Sequence, residues 1–301
     1  MEYDIVIIGA GPAGMTATLY ALRSNKKVLL LEAKSYGGQI VNAHKIENYP
    51  GIIMTSGFEY ATTLYEQIKK LGAEIKYETV VRIEEDKTII TSKNQYHAKA
   101  IIIATGAENK KLGIMNEAKY VGKGVSYCAT CDGNFYRNKV VAVVGGGNTA
   151  LEDAIYLSDL VNKVYLIHRR EELRGEERLV NELKEKENVD FILNATVEKI
   201  IGKDKLEGIK LSLGDGKEQS LSLDGLFIAV GQAPKNEIFA NLIQLNEAGY
   251  IVATDDVHTN IPGVYVAGDA RVKNLRQLTT AVGDGANAAT TAIREMASNK
   301  N

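Results

Sequence analysis

The chain has 301 residues, 45% of them apolar and 25% charged, and a formal charge of −2 from 36 Lys and Arg against 38 Asp and Glu. A single hydrophobic core stops growing at roughly 250–300 residues, so this length suggests about two domains. With near-balanced charge and no basic block, neither nucleic acid nor an anionic membrane is an expected partner, and no apolar run approaches the roughly 20 residues that span a bilayer.

The N-terminus, MEYDIVIIGAG, has no basic region ahead of its apolar run, so a soluble, cytoplasmic chain is expected. DIVIIG reads as a strand and runs into Gly9-Ala10-Gly11-Pro12-Ala13-Gly14, a G-x-G-x-x-G. The following MTATLYALRSN has helical spacing, and KKVLLLE reads as a second buried strand ending in Glu32. Strand, glycines, helix, strand and acid in this order mark a dinucleotide cradle. The glycines let backbone approach a pyrophosphate at the helix N-terminus, and Glu32, 32 − 9 = 23 residues past the first glycine, suits the ribose hydroxyls. An amphipathic helix with Phe58, Ala61, Leu64, Ile68 and Leu71 on one face comes next. A β-rich stretch then closes on Ala104-Thr105-Gly106.

Both cysteines lie in the tetrapeptide Cys128-Ala129-Thr130-Cys131, followed by Asp132. Two thiols at this spacing do not make a secreted disulfide framework. A structural zinc site wants four ligands, and His44, His97, His168 and His258 lack the companion spacing, so a redox pair is the favoured reading over metal. If a helix starts here, its N-terminus would lower a thiol pKa. Asp132 reads either as a proton donor or as a cap or turn acid.

From residue 139 the first unit returns. KVVAVVG is the strand, Gly145-Gly146-Gly147-Asn148-Thr149-Ala150 the glycine loop, LEDAIYLSD the helix and KVYLIHRR the second strand. The offset repeats, 168 − 145 = 23, but His168, Arg169 and Arg170 stand where the first copy has Glu32. Guanidinium groups bind a 2′-phosphate that a carboxylate would repel, so the second site is expected to take NADPH; the alternative is a solvated strand end. A helix with Leu173, Val180 and Leu183 and a β-rich stretch closing on Ala229-Val230-Gly231 complete the copy. The fold class expected is α/β, with two Rossmann-like, doubly wound, three-layer units carrying β-meander insertions. The tail offers one strand, ending at Gly268-Asp269, and one helix, which must pack back on one of the units, the first being expected. The expected division is 1–111 plus 244–301, with 112–243 inserted.

With GAGPAG, GGQ (Gly37 to Gln39), ENYPG (Glu47 to Gly51), IIIATGA, CATCDG, GGGNTALEDAIYLS, HRR with Arg174 beyond it, VAGD and RQ (Arg276, Gln277), the chain resembles the low-molecular-weight thioredoxin reductases of bacteria over its whole length. The resemblance implies FAD on the first unit with the C-terminal segment, and NADPH and a redox disulfide on the inserted unit. It also implies thioredoxin as substrate and a homodimer. It makes Cys128 and Cys131 the redox pair, Cys131 nearer the flavin, and Asp132 the acid. For FAD it adds Pro12, Ala13, Gly37, Gly38, Gln39, Asn48, Thr105, Gly106, Gly268, Asp269, Arg276 and Gln277 to Gly9, Gly11, Gly14 and Glu32. Without the resemblance Asp269 reads equally as a turn carboxylate. For NADPH it supports Gly145, Gly147, Asn148, Thr149, His168, Arg169, Arg170 and Arg174.

Gly175 stands where an alanine is common, which looks minor. Ferredoxin-dependent relatives lack the second fingerprint and the basic cluster, and alkyl hydroperoxide reductase flavoproteins carry an extra N-terminal redox domain. The rival readings are a ferredoxin-driven reductase, an NADPH oxidase or reductase with another dithiol partner, and a non-enzymatic redox sensor. His44, His97 and His258 are read as structural or surface residues. Since disulfide and NADPH share a unit but need one flavin, that unit is expected to swing about linkers near 110–116 and 240–248.

Overall fold

The apolar, β-branched run at the N-terminus forms strand β1 (Glu2–Ile8), whose last four residues are buried on both faces of a parallel sheet. The computed structural model describes residues 2–43, 45–254 and 257–298; His44 lies outside the described residues. After β1 come α1 (Pro12–Arg23), β2 (Val28–Glu32), α2 (Gly57–Lys70), β3 (Glu74–Tyr77), β4 (Val80–Ile83), β5 (Thr88–Thr91) and β6 (Gln95–Ile103). Their order in the sheet is β3-β2-β1-β6-β5-β4. β1 pairs in parallel with β2 and β6, while β4, β5 and β6 pair antiparallel, so here the expected meander is continuous with the main sheet.

The helix expected over residues 58–71 is present, capped by the Ser56 hydroxyl, which accepts the Glu59 amide at 3.1 Å. Its buried face is narrower than the periodicity predicts. Ala61, Leu64 and Ile68 are buried, but Phe58 is 61% and Leu71 43% exposed. Helical spacing reports which residues share a stripe, and only the packing partner decides how wide a stripe is covered.

The chain crosses out through β7 (Ala107–Asn109) and builds α3 (Glu117–Tyr120), β8 (Val125–Ser126), α4 (Ala129–Asp132), β9 (Val140–Val144), α5 (Asn148–Ser158), β10 (Lys163–Ile167) and α6 (Glu177–Lys184). β11 (Val189–Ile192), β12 (Ala195–Ile201), β13 (Gly208–Leu213), β14 (Glu218–Ser222) and β15 (Gly225–Ile228) follow. The parallel sheet runs β11-β10-β9-β15-β8, and β12-β13-β14 is a separate antiparallel sheet. Leu173 precedes α6, whose buried residues are Leu179 and Leu183. Both units share one layering. In each, one face of the parallel sheet packs on helices (α1, α2; α5, α6) and the other on the β-meander.

The chain returns through β16 (Gln232–Pro234), which pairs with β7. β17 (Val264–Val266) then joins β6 in parallel, and α7 (Leu278–Ser298) lies along α1. A Cβ at Gly285 of α7 would fall 2.2 Å from the Ala13 carbonyl oxygen, so a side chain there would push the two helices apart. Two units result, Met1–Glu108 with Ala233–Asn301, and Asn109–Gln232.

The second crossing therefore lies about ten residues before the boundary the sequence suggested. Asn236 explains the difference. It is fully buried in the first unit, donates to the carbonyls of Gly249 and Ala270 at 3.0 and 2.9 Å, and accepts the Thr105 hydroxyl at 3.1 Å. Phe239 and Ile243 fill that unit's core beside it.

Candidate active site

Cys128 and Cys131 are joined by a disulfide, with Cα atoms 5.3 Å apart. Parallel pairing of β8 with β15 delivers the chain to this turn. Ala129, between the cysteines, is fully buried against Ala150, Leu151, Ala154 and Leu157 of α5, while both cysteines stay partly exposed. A helix does start here, with Cys128 as the N-cap of α4, but α4 is one turn long. Local amides, rather than the summed dipole of a long helix, set the field there.

The Asp132 carboxylate accepts the Ser126 hydroxyl at 2.7 Å, and its amide donates to the Cys128 carbonyl at 3.1 Å. The Ser126 Oγ also accepts the Cys128 amide at 3.1 Å. Ser126 is buried and joins the acid to the disulfide turn; nothing in its sequence context marked it. Tyr136, near Asp132, has its phenol pushed up to about 12 by burial and then by the charges of Asp132 and Asp224. Sequence also missed Glu117. Its buried carboxylate accepts the amides of Leu112 and Gly113 at 3.2 and 2.9 Å and the Tyr127 hydroxyl at 2.6 Å. This ties the chain just past the first crossing to the residue before Cys128. Burial first, then Glu117, raises the Tyr127 pKa.

In the first unit the glycine loop joins β1 to α1, with Gly11 as N-cap and Pro12 at the first helical position. A Cβ on Gly14 would sit 1.8 Å from the Gly9 carbonyl oxygen, so the turn closes only on glycine, whereas a Cβ on Gly11 would meet nothing within 4 Å. Glu32 accepts the amides of Ala10 and Lys34, both at 2.8 Å, which fixes its carboxylate beside the loop with lone pairs to spare. Gly37 donates its amide to the Ala10 carbonyl at 2.8 Å, and a Cβ on Gly38 would lie 3.2 Å from the Gly11 Cα, so the GGQ turn abuts the cradle. Gln39 donates to the Ala107 carbonyl at 3.4 Å, one residue past Thr105-Gly106.

Asn48 and Gln277, far apart in sequence, meet at 3.2 Å. The Arg276 guanidinium lies over the Tyr250 ring, 4.1 Å from its centroid. Gly268 donates its amide to Asp284 at 3.0 Å, and a Cβ there would approach Ala13 to 2.9 Å, which places Asp269 beside the start of α1. The Asp269 Oδ1 is buried without a partner, and burial raises its pKa against the opposing pull of Lys273 and Arg276. A buried acceptor with no donor at a dinucleotide cradle fits a ligand hydroxyl.

The second unit repeats the cradle between β9 and α5, with Gly147 as N-cap and open space where its Cβ would be. Thr149 is exposed in the first turn of α5. A Cβ on Gly145 would fall 2.4 Å from the Ala229 carbonyl oxygen, and one on Gly146 would fall 2.3 Å from the His168 ring. His168 is buried, its Nε2 lacks a partner, and burial followed by Arg174 lowers its pKa, which keeps the imidazole neutral. Arg169, Arg170 and Arg174 are exposed around it, three cations next to an unsatisfied ring nitrogen. Gly175 proves less minor than it looked. A Cβ there would fall 2.3 Å from Leu151 Cδ1, so glycine makes room for leucine. Both glycine loops thus leave room for a dinucleotide at a helix N-terminus, one with an acid beside it and the other with arginines.

A chain with two such cradles and a dithiol pair belongs to a known class: it is a member of the pyridine nucleotide-disulphide oxidoreductase family, whose sequence profile matches residues 3–285. Within it, the chain is 46% identical to a thioredoxin reductase of Listeria monocytogenes, over 94% of this chain and 90% of that one. Its identity to a thioredoxin reductase of Bacillus subtilis is 43%, over 95% and 92%. It superposes on the crystal structure of thioredoxin reductase from Streptococcus pyogenes with a TM-score of 0.94 at 42% identity, covering 99% of each chain. Among the described residues no helix is long and apolar enough to cross a membrane.

Proposed function

We propose that this chain is an NADPH-dependent thioredoxin reductase, a flavoprotein that passes two electrons from NADPH to the Cys128–Cys131 disulfide and on to the disulfide of thioredoxin. One observation carries the reading. Helix α5 begins at the arginine-flanked glycine loop and, along its buried face, holds Ala129, the first of the two residues between the cysteines. Nucleotide cradle and disulfide are thus built on a single rigid element.

The unit of residues 1–108 and 233–301 holds FAD: Gly9 and Gly14 shape the turn, Gly11 leaves backbone bare for the pyrophosphate, Glu32 accepts from the ribose and Asp269 accepts a ligand hydroxyl. Pro12 and Ala13 open the helix behind the pyrophosphate. Gly37, Gly38, Gln39, Asn48, Thr105, Gly106, Gly268, Arg276 and Gln277 complete the rim. Bound FAD supplies the two-electron relay between a nicotinamide and a disulfide. The unit of residues 109–232 holds NADPH, with Gly145 and Gly147 at its pyrophosphate, Asn148 and Thr149 in the helix turn behind them, and His168, Arg169, Arg170 and Arg174 around its 2′-phosphate.

The disulfide gains two electrons and two protons to become two thiols, and Asp132 moves one of those protons at the sulfurs. One cysteine thiolate then attacks the thioredoxin disulfide, forming an interchain S–S bond as a thioredoxin thiolate leaves. The second cysteine attacks the first one's Sγ, restoring Cys128–Cys131 and releasing dithiol thioredoxin. Because the disulfide and the arginine-ended glycine loop share the second unit, that unit would swing about the crossings at β7 and β16, so that each would in turn serve the FAD held by the first unit. The protein works as a homodimer in the cytoplasm.

The test is spectroscopic. The protein should carry a flavin spectrum that NADPH bleaches anaerobically without ferredoxin, and Cys128→Ser should abolish thioredoxin reduction while leaving that bleaching intact. A colourless protein, or Cys128→Ser still reducing thioredoxin, rejects the reading. An interdomain crosslink that leaves turnover at full rate rejects the swing.

A further inference from the structure

The loop that carries Arg174 is clipped to the glycine loop by a reciprocal pair. Asn148, the first residue of α5, donates its side-chain amide to Glu176 Oε1 at 2.8 Å, and its Oδ1 accepts the Glu176 backbone amide at 2.8 Å. Between these bonds the Arg174 amide donates to the Gly146 carbonyl at 2.6 Å. Gly175 lies against Leu151 and Asn148, and a Cβ there would have to displace Leu151 Cδ1. The segment 174–176 is therefore held at three successive positions onto residues 146–151. The hydrogen-bonding atoms of the Asn148 side chain are both engaged with Glu176, so its strongest contacts face the loop.

We propose that Glu176 is a positioning residue for recognition of the 2′-phosphate: through Asn148 it fixes the backbone from which Arg174 extends, and so sets preference for a phosphorylated ribose. This rests on the NADPH reading of the second cradle. Arg174 is exposed, and a backbone held in place beforehand removes the backbone share of the entropy lost when its long side chain settles on a phosphate. The remaining cations, Arg169 and Arg170, follow β10 within three residues of its end.

Charge alone predicts the opposite sign. Glu176 is an anion in a site meant for an anion, so removing its charge should tighten phosphate binding. As a clip it should do the reverse, and the two effects separate by substitution. Glu176→Gln removes the charge but keeps an oxygen that accepts the Asn148 amide; Glu176→Ala removes both.

The experiment titrates the purified flavoprotein and both variants with 2′,5′-ADP and with 5′-AMP by calorimetry, and compares KM for NADPH and NADH. Glu176→Ala should bind 2′,5′-ADP roughly three- to tenfold more weakly, the worth of one hydrogen bond, with 5′-AMP changed less than about twofold. Glu176→Gln should match or exceed the wild type. Tighter 2′,5′-ADP binding by Glu176→Ala, or equal weakening of both ligands, overturns the positioning role. A wild-type protein with no preference for 2′,5′-ADP over 5′-AMP overturns the NADPH reading itself and removes the role with it.

Discussion

The Ser126 hydroxyl donates to Asp132 Oδ2 at 2.7 Å while its oxygen accepts the Cys128 amide at 3.1 Å. One buried hydroxyl thus holds the acid and the first cysteine in register. Ser126→Ala removes the bond that holds the acid against the disulfide turn. Thioredoxin reduction at neutral pH should slow by about two- to tenfold, while flavin bleaching by NADPH is untouched. An unchanged rate would show that Ser126 does not act through Asp132.

Gly175 and Leu151 form a volume pair. Gly175→Ala should cost about 1–3 kcal/mol in urea unfolding, because its Cβ would fall 2.3 Å from Leu151 Cδ1. Adding Leu151→Val should recover most of that loss, since the shorter side chain vacates the space. Additive effects in the double variant would rule out the pairing.

Glu117 gathers three donors in a buried site. Glu117→Ala should leave the Leu112 and Gly113 amides and the Tyr127 hydroxyl unpaired, at a cost of about 3 kcal/mol or more. Tyr127→Phe removes only one donor and should cost about 1 kcal/mol. Thermal melts of the two variants test the ranking; equal losses would contradict it.

Asp153, partly buried on α5, has its pKa pushed up to about 7 by burial and then by the charge of Glu152. A raised folded-state pKa contributes stability that is full below the unfolded value near 4 and is lost as pH rises through about 7. Asp153→Asn removes the titration. The variant should therefore gain stability over the wild type at pH 8, on the order of 2 kcal/mol once screening is allowed for, with no gain at pH 4. A pH-independent difference between the two would refute the assignment.

Much of the site could be read directly from the chain because its chemistry is local. Each glycine loop with its strand-end acid or arginines falls within about 25 residues, and the disulfide within four, since a phosphate cradle and a small dithiol ring are each closed by neighbouring residues. Ser126, Glu117, Glu176 and Asn236 carried no such signal. An isolated polar residue looks the same in sequence whether it faces water or fastens two segments, and the Asn48–Gln277 contact joins residues 229 apart.

The sequence by itself determined two α/β units, a carboxylate-ended and an arginine-ended glycine loop, and one cysteine pair, because backbone periodicity and short-range geometry are written in adjacent residues. Only the tertiary structure decided that residues 233–243 belong with the first unit, that Phe58 and Leu71 stay exposed, and that Ser126 and Glu117 brace the disulfide turn. Those outcomes depend on which distant surface each segment meets, and burial energy is settled by that meeting rather than by the segment alone.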